Sequence, residues 1–310
     1  MLGSHRGKEI LCVITGMHRS GTTWMGRALE CLDFVSALHE PFNFRHGLAG
    51  VSRWYPRLDD VQDVLHFNRA LDEIRFGNAR FRRLGGHSTL HRLLGRLVVG
   101  SRQEREYKAS LKQNTTKFLL KEPFLLRMAP LLVDRGIPVV VMIRHPAAIL
   151  NSIKRMNWPV GVDVIDGLRI EGEYGEVKAM AQMWHELHKP LIECLKLRGA
   201  EGVFIVDHES VFDDLPKFCG ALLDFLGVAE LSQRQKVLSY VQETSSGDLI
   251  QPVDSAQHHL TRNSRALSVA WREYTDKGAM AVFEGIVGTD LAFFRNLAMN
   301  KDGERVSIKG

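Results

Sequence analysis

Nine consecutive residues constrain this chain more than any others: Gly16-Met17-His18-Arg19-Ser20-Gly21-Thr22-Thr23-Trp24. They follow the apolar run Ile10-Leu11-Cys12-Val13-Ile14 and precede a helix-like pattern that begins near Met25. A strand, a glycine loop and a helix in that order form an anion site, because the first turn of a helix leaves backbone N–H groups without acceptors. Gly16 and Gly21 allow the tight turn that exposes those groups. Thr22 and Thr23 add hydroxyl donors, and Arg19 adds a planar cationic fork. The glycine spacing alone is weak, since 27 glycines in 310 residues give roughly two such matches by chance. Its position after a strand, with Arg-Ser and Thr-Thr added, is far more specific. A nucleoside triphosphatase loop carries a lysine after its second glycine, where this chain has Thr22. An anion site is therefore expected, but ordinary ATP or GTP hydrolysis is not.

The surrounding pattern is α/β. Strand-like runs lie at 10–15, 34–38, 117–121, 138–143 and 203–206, with helical periodicity at 22–32, 124–135, 146–156, 176–198 and 214–227. The run Val139 to Ile143 is apolar throughout, as expected of a strand buried on both faces. The expected fold is a P-loop-like three-layer domain spanning 1–310, with a central, mostly parallel sheet flanked by helices. Residues 42–116 interrupt the alternation and contain helix-like pieces at 59–75 and 88–98. They read as an insertion or lid over the ligand crevice rather than a separate domain. Segments 157–175 and 245–268 read as loops able to close over a site.

A second constellation is Arg144-His145-Pro146 with Ser152 eight residues after the arginine. Arg144 ends the most apolar strand, and ligands of open parallel sheets bind at the strands' carboxyl ends. Pro146 suits a first helical turn, which places Ser152 about two turns further along on a similar side. Arginine and serine converging there would hold a second anionic group.

Composition narrows the partners. The net charge of +5 is compatible with an anionic ligand and gives little support for nucleic acid. The four cysteines form no CxxC pair and sit in apolar surroundings, so buried thiols are expected rather than a metal site or disulfides. No run approaches the length of a membrane span, and Met1 to Lys8 is too short and polar for a signal peptide. A cytoplasmic protein is the default, and a lumenal domain without its anchor is the alternative.

Together these residues resemble the PAPS-dependent sulfotransferases, whose donor is 3′-phosphoadenosine 5′-phosphosulfate. Arg19-Ser20-Gly21-Thr22-Thr23-Trp24 looks like that family's 5′-phosphosulfate loop, and Arg144 with Ser152 matches its 3′-phosphate pair. The resemblance runs from the first strand to about residue 157, with a weaker echo at Trp271-Arg272. It implies PAPS as donor, adenosine 3′,5′-bisphosphate (PAP) as product, and no metal. Glu40, in His39-Glu40-Pro41-Phe42, lies 21 residues beyond Arg19. A glutamate at this spacing is the proposed catalytic base of the carbohydrate and tyrosylprotein branches, and the Glu-Pro-aromatic sequence looks closest to the carbohydrate branch. A carboxylate within reach of an acceptor hydroxyl can take its proton. Glu122, beside Lys121, is the alternative base, and Lys121 would stabilise charge on the departing oxygen. The catalytic histidine of the aryl and steroid branch has no counterpart after Lys121. Arg262 and Arg265, flanking Ser264, would close over the nucleotide, although the aryl branch's Arg-Lys-Gly signature is absent. The expected reaction is sulfuryl transfer to a hydroxyl, with a carbohydrate as the favoured acceptor. The rivals are a P-loop kinase or NTPase, for which Asp207 would be the acidic partner, and an inactive nucleotide-binding protein of the same fold.

Overall fold

The computed structural model describes residues 7–82, 102–161, 164–165, 167–246 and 264–298. Strand β1 (Glu9–Gly16) leads into helix α1 (Thr22–Leu29), and β2 (Val35–His39) follows. Helices α2 (Val61–Arg75) and α3 (Arg102–Lys112) precede β3 (Lys117–Lys121). A 3₁₀ turn at Pro123–Met128 runs into α4 (Ala129–Asp134), then β4 (Val139–Ile143) and α5 (Pro146–Arg155). The long α6 (Gly175–Arg198) leads to β5 (Val203–Asp207), then α7 (Leu215–Phe225) and α8 (Leu231–Ser245). The short α9 (Ser264–Val269), a 3₁₀ turn at Ala270–Tyr274 and α10 (Lys277–Leu297) complete the described chain.

The strands form one sheet in the order β2-β3-β1-β4-β5, and each adjacent pair is parallel. Their apolar residues divide by the two-residue period of a strand. Val139, Val141 and Ile143 face one core with Trp184, Leu187, Leu191 and Phe294, whereas Val140 and Met142 face a second core with Met25, Leu29, Leu222 and Val237. Helices α6 and α10 thus cover one face of the sheet, and α1, α7 and α8 cover the other. This is the three-layer α/β arrangement expected from the sequence.

The described parts of 42–116 are built into the first core. Phe42, Leu48, Tyr55, Phe67, Leu71, Ile74, Phe81 and Tyr107 share it with Leu120 and Phe124. Asp60 starts α2 by accepting from the amides of Gln62 and Asp63, the usual cap for orphan helix donors. The helix-like piece at 88–98 lies outside the described residues, as does most of 245–268. Within that second segment, Ser264–Val269 is helical rather than loop. The helix expected at 124–135 begins as a 3₁₀ turn: Pro130 has no N–H to give the Leu126 carbonyl four residues before it, and the Ala129 amide takes that carbonyl instead.

Candidate active site

Parallel strands bring their carboxyl ends to one edge, and every strand delivers a candidate site residue there. The loop after β1 supplies residues 17–21, β2 is followed by Glu40, and β3 ends at Lys121. Arg144 follows β4, and His208 follows β5. Register aligns them: His39 pairs with Lys121, and Ile143 pairs with Asp207.

The phosphate loop depends on its glycines. Gly16 has φ of +147°, and a Cβ there would meet the Met142 carbonyl oxygen at 2.5 Å. Gly21 has φ of +103°, and a Cβ there would meet His208 Cδ2 at 2.4 Å. Arg19 also has positive φ, at 70°, which a side-chain-bearing residue adopts only under local constraint. Gly21 opens α1 with no side-chain cap, so the first-turn amides face the site without a carboxylate or hydroxyl from the chain. Ser20 Oγ is buried and has no hydrogen-bond partner among the described residues. Buried polar atoms are almost always bonded, so an unpartnered hydroxyl in this loop fits an anion-binding role. The Ser20 amide is already used, donating to Met17 O at 3.0 Å, which leaves the amides of 21–23 for a ligand. Thr22 is buried and Thr23 exposed. Trp24 points into packing: its indole stacks on Phe218 and donates to Thr244 Oγ1 at 3.0 Å.

Arg144 and Ser152 meet Arg19. Arg19 Nε donates to Ser152 Oγ at 3.0 Å, and Arg144 Nη1 donates to Arg19 O at 2.9 Å. Burial, and secondarily the Arg19 charge, push the Arg144 guanidinium down to about 10. Two crowded cations of this kind are relieved by an anion between them.

Glu40 stands at the end of β2 with φ of 53°. Its Oε1 pairs with Lys121 Nζ, and its Oε2 accepts from Asn43 Nδ2 at 3.0 Å. Burial pushes its carboxyl up, but Lys121, Asn43 and His39 outweigh this and hold it below the ordinary glutamate value. Glu122 is different. It is fully buried, accepting from Phe42 N at 2.5 Å and Phe124 N at 3.1 Å. Burial, reinforced by the Glu40 charge, pushes it up to about 8. Glu122 therefore ties backbone together, while Glu40 retains partial exposure.

The model of the sulfotransferase family matches residues 12–232, well over half of the chain. The chain belongs to the sulfotransferase family. It is a PAPS-dependent enzyme, and the phosphate loop with the Arg19, Arg144 and Ser152 cluster fits that donor's two anionic ends. The match is to the family as a whole and not to its carbohydrate branch. Similar solved sulfotransferase structures are distant. The sulfotransferase domain of the Synechococcus PCC 7002 olefin synthase is 16% identical, with a TM-score of 0.46, covering 92% of this chain and 97% of that one. A Mycobacterium avium sulfotransferase is 13% identical at TM-score 0.44, covering 93% and 78% respectively. A mouse sulfotransferase complexed with PAP is 13% identical at TM-score 0.39, covering 96% and 87%. No curated protein matches this sulfotransferase.

The remaining sequence candidates are less central. Arg265 is exposed on the short α9, and Arg262 lies outside the described residues. Trp271 stacks on His145 at 4.3 Å, and Arg272 Nη2 lies 3.9 Å from Glu209 Oε2. Asp207 Oδ2 lies 3.7 Å from Arg295 Nε. Among the described residues there is no cluster of three or more metal-ligating side chains, and no helix is long and apolar enough to cross a membrane. Sequence reasoning overlooked Asn43, Tyr55 and His208. His208 follows β5 directly, so the strand-end rule that identified Arg144 would also have found it. His208 Nδ1 is buried and has no partner among the described residues.

Proposed function

We propose that this sulfotransferase moves the sulfuryl group of PAPS to a hydroxyl of a carbohydrate or glycoconjugate, with Glu40 as general base. One observation carries the choice of base. Glu40 is a partly exposed carboxylate at the strand edge that holds the phosphate loop, whereas both Glu122 oxygens are occupied by backbone amides. The acceptor oxygen attacks sulfur as its proton passes to Glu40. The bond from sulfur to the bridging phosphate oxygen breaks, and the departing 5′-phosphate gathers negative charge. Arg19 and the amides of 21–23 stabilise that charge, with Lys121 beside them. Arg144 and Ser152 hold the 3′-phosphate and so set the donor's register.

The acceptor reading rests on residues 42–116 as the acceptor side. Arg45 lies over the Trp54 ring at 5.7 Å and Arg82 over Phe44 at 5.3 Å, while Phe44 and Trp54 meet edge to face. Aromatic faces beside guanidinium donors suit sugar rings and their anionic substituents. The free thiols Cys12, Cys31, Cys194 and Cys219 support a reducing, cytoplasmic location.

The test is a pair of measurements. Calorimetry should show PAP binding in preference to ATP with magnesium, and stronger ATP binding would defeat the donor reading. A mass-shift screen of carbohydrate, peptide and small-molecule hydroxyls with PAPS should then identify a sugar acceptor. With that acceptor, Glu40→Gln should lower kcat about a hundredfold or more while PAP affinity is kept. Full activity in Glu40→Gln with none in Glu122→Gln would reverse the assignment.

A further inference from the structure

Tyr55 belongs to the stretch between β2 and α2, yet its hydroxyl lies at the phosphate loop. Tyr55 Oη accepts from His18 N at 2.9 Å and lies 2.8 Å from His18 Nδ1. The ring is 1% exposed, and Tyr55 holds a left-handed φ of 48°. A non-glycine residue keeps such a backbone only where its surroundings enforce it. Phe124 supports the ring edge to face at 5.4 Å, and its amide is bound by Glu122.

These contacts decide a proton. A phenol oxygen has one hydrogen to give, and here the oxygen already accepts from a backbone amide. If His18 carried its proton on Nδ1, two N–H groups would point at Oη. The phenolic hydrogen would then be buried with no acceptor, since Oη has no other partner among the described residues. If Nδ1 is bare, Tyr55 donates to it and both groups are satisfied. Burial, aided by the Arg19 charge, holds the His18 imidazole down at about 4, which keeps the ring neutral at physiological pH.

We propose that Tyr55 is a positioning residue of the donor site. Its hydroxyl pins the phosphate loop at His18 and fixes the imidazole as the Nε2–H tautomer, leaving one oriented N–H donor beside Arg19. His18 is half-buried, and it feels the charges of both Arg19 and Glu40. That N–H belongs to the residue next to the donor-holding Arg19, in the loop that holds the donor. The assignment rests on the donor reading given above.

Two measurements test it. Nitrogen-15 spectra of the histidine-labelled full chain at pH 7 should show His18 protonated at Nε2 and bare at Nδ1. A proton on Nδ1 would overturn the proposal without any variant. Calorimetry with PAP should show about tenfold weaker binding to Tyr55→Phe, together with loss of the single tautomer. Wild-type affinity in that variant would overturn this proposal alone, because the wild type still binds. A wild type that does not bind PAP would overturn the donor reading and this proposal with it. Should Tyr55→Phe fail to fold, the wild-type tautomer decides.

Discussion

Arg19 Nε donates to Ser152 Oγ at 3.0 Å, although 133 residues separate the two in sequence. The guanidinium assigned to the phosphosulfate thus rests on the hydroxyl assigned to the 3′-phosphate. The two anion sites share this contact, with Arg144 closing it from the other side through Arg19 O. Occupying one site therefore bears directly on the geometry of the other.

Ser152→Ala removes the proposed phosphate contact and the hydroxyl that accepts from Arg19 Nε. A hydrogen bond to a charged group contributes about 1.5–3 kcal/mol, so PAP affinity should fall between about ten- and hundredfold. Ser152→Thr keeps the hydroxyl and should restore part of the loss. Calorimetry on the two variants is the check, and equal affinities for Ala and wild type would remove Ser152 from the site.

Gly21→Ala should be severe. The position has φ of +103°, and the new methyl would strike His208 Cδ2 at 2.4 Å. The expected stability loss is about 1–3 kcal/mol, with PAP binding lost as the loop shifts. Gly50→Ala is the control, because a Cβ there meets nothing within 4 Å. Its melting temperature should match the wild type.

Glu40 is held below the ordinary glutamate value, so it is ionised and competent as a base at neutral pH. With a working acceptor, kcat/KM should stay level through neutrality and fall only as pH drops below the ordinary carboxylate range. Lys121→Met removes the main cation beside Glu40. Its rate should be lower, and its acid limb should move to higher pH. A limb that stays in place would show that Glu40 is not the titrating base.

Glu122 has the opposite sign. Its folded-state value is raised to about 8, so its carboxyl stabilises the fold fully below its unfolded value of about 4.3. That contribution is lost as pH rises toward 8. The melting-temperature advantage of wild type over Glu122→Gln should therefore be larger at pH 5 than at pH 8.5. Thermal unfolding at the two pH values checks it, and an advantage that grows with pH would contradict the burial argument.

The sheet was legible because its strands are apolar on both faces and bounded by turn residues, as in Val139 to Ile143. The clustering of Arg19, Arg144 and Ser152 was legible because a phosphate loop is local in sequence, and because Arg144 and Ser152 lie within one strand-to-helix connection. Helix α8 was not anticipated, since its exposed side is polar and few residues, among them Val237 and Val241, anchor it. Helix α10 carries Gly285 and Gly288 within its length, which weakens its local helical signal. Tyr55 could not be read at all. Its partner His18 is 37 residues away, and no periodicity marks a single tyrosine that crosses to another loop.

Strands β2 and β3 are parallel neighbours in the sheet, so the chain leaves after β2 at the carboxyl edge and re-enters β3 from the opposite edge. Such a crossover is part of the layer it covers, not an appendage to it. Its ties to the rest of the fold include the Phe42 amide on Glu122, the Tyr55 hydroxyl on His18, and Asn68 and Asp72 on Arg135. A replacement segment from another protein would need to keep such ties, or the nucleotide end of the enzyme would loosen along with the end being redesigned.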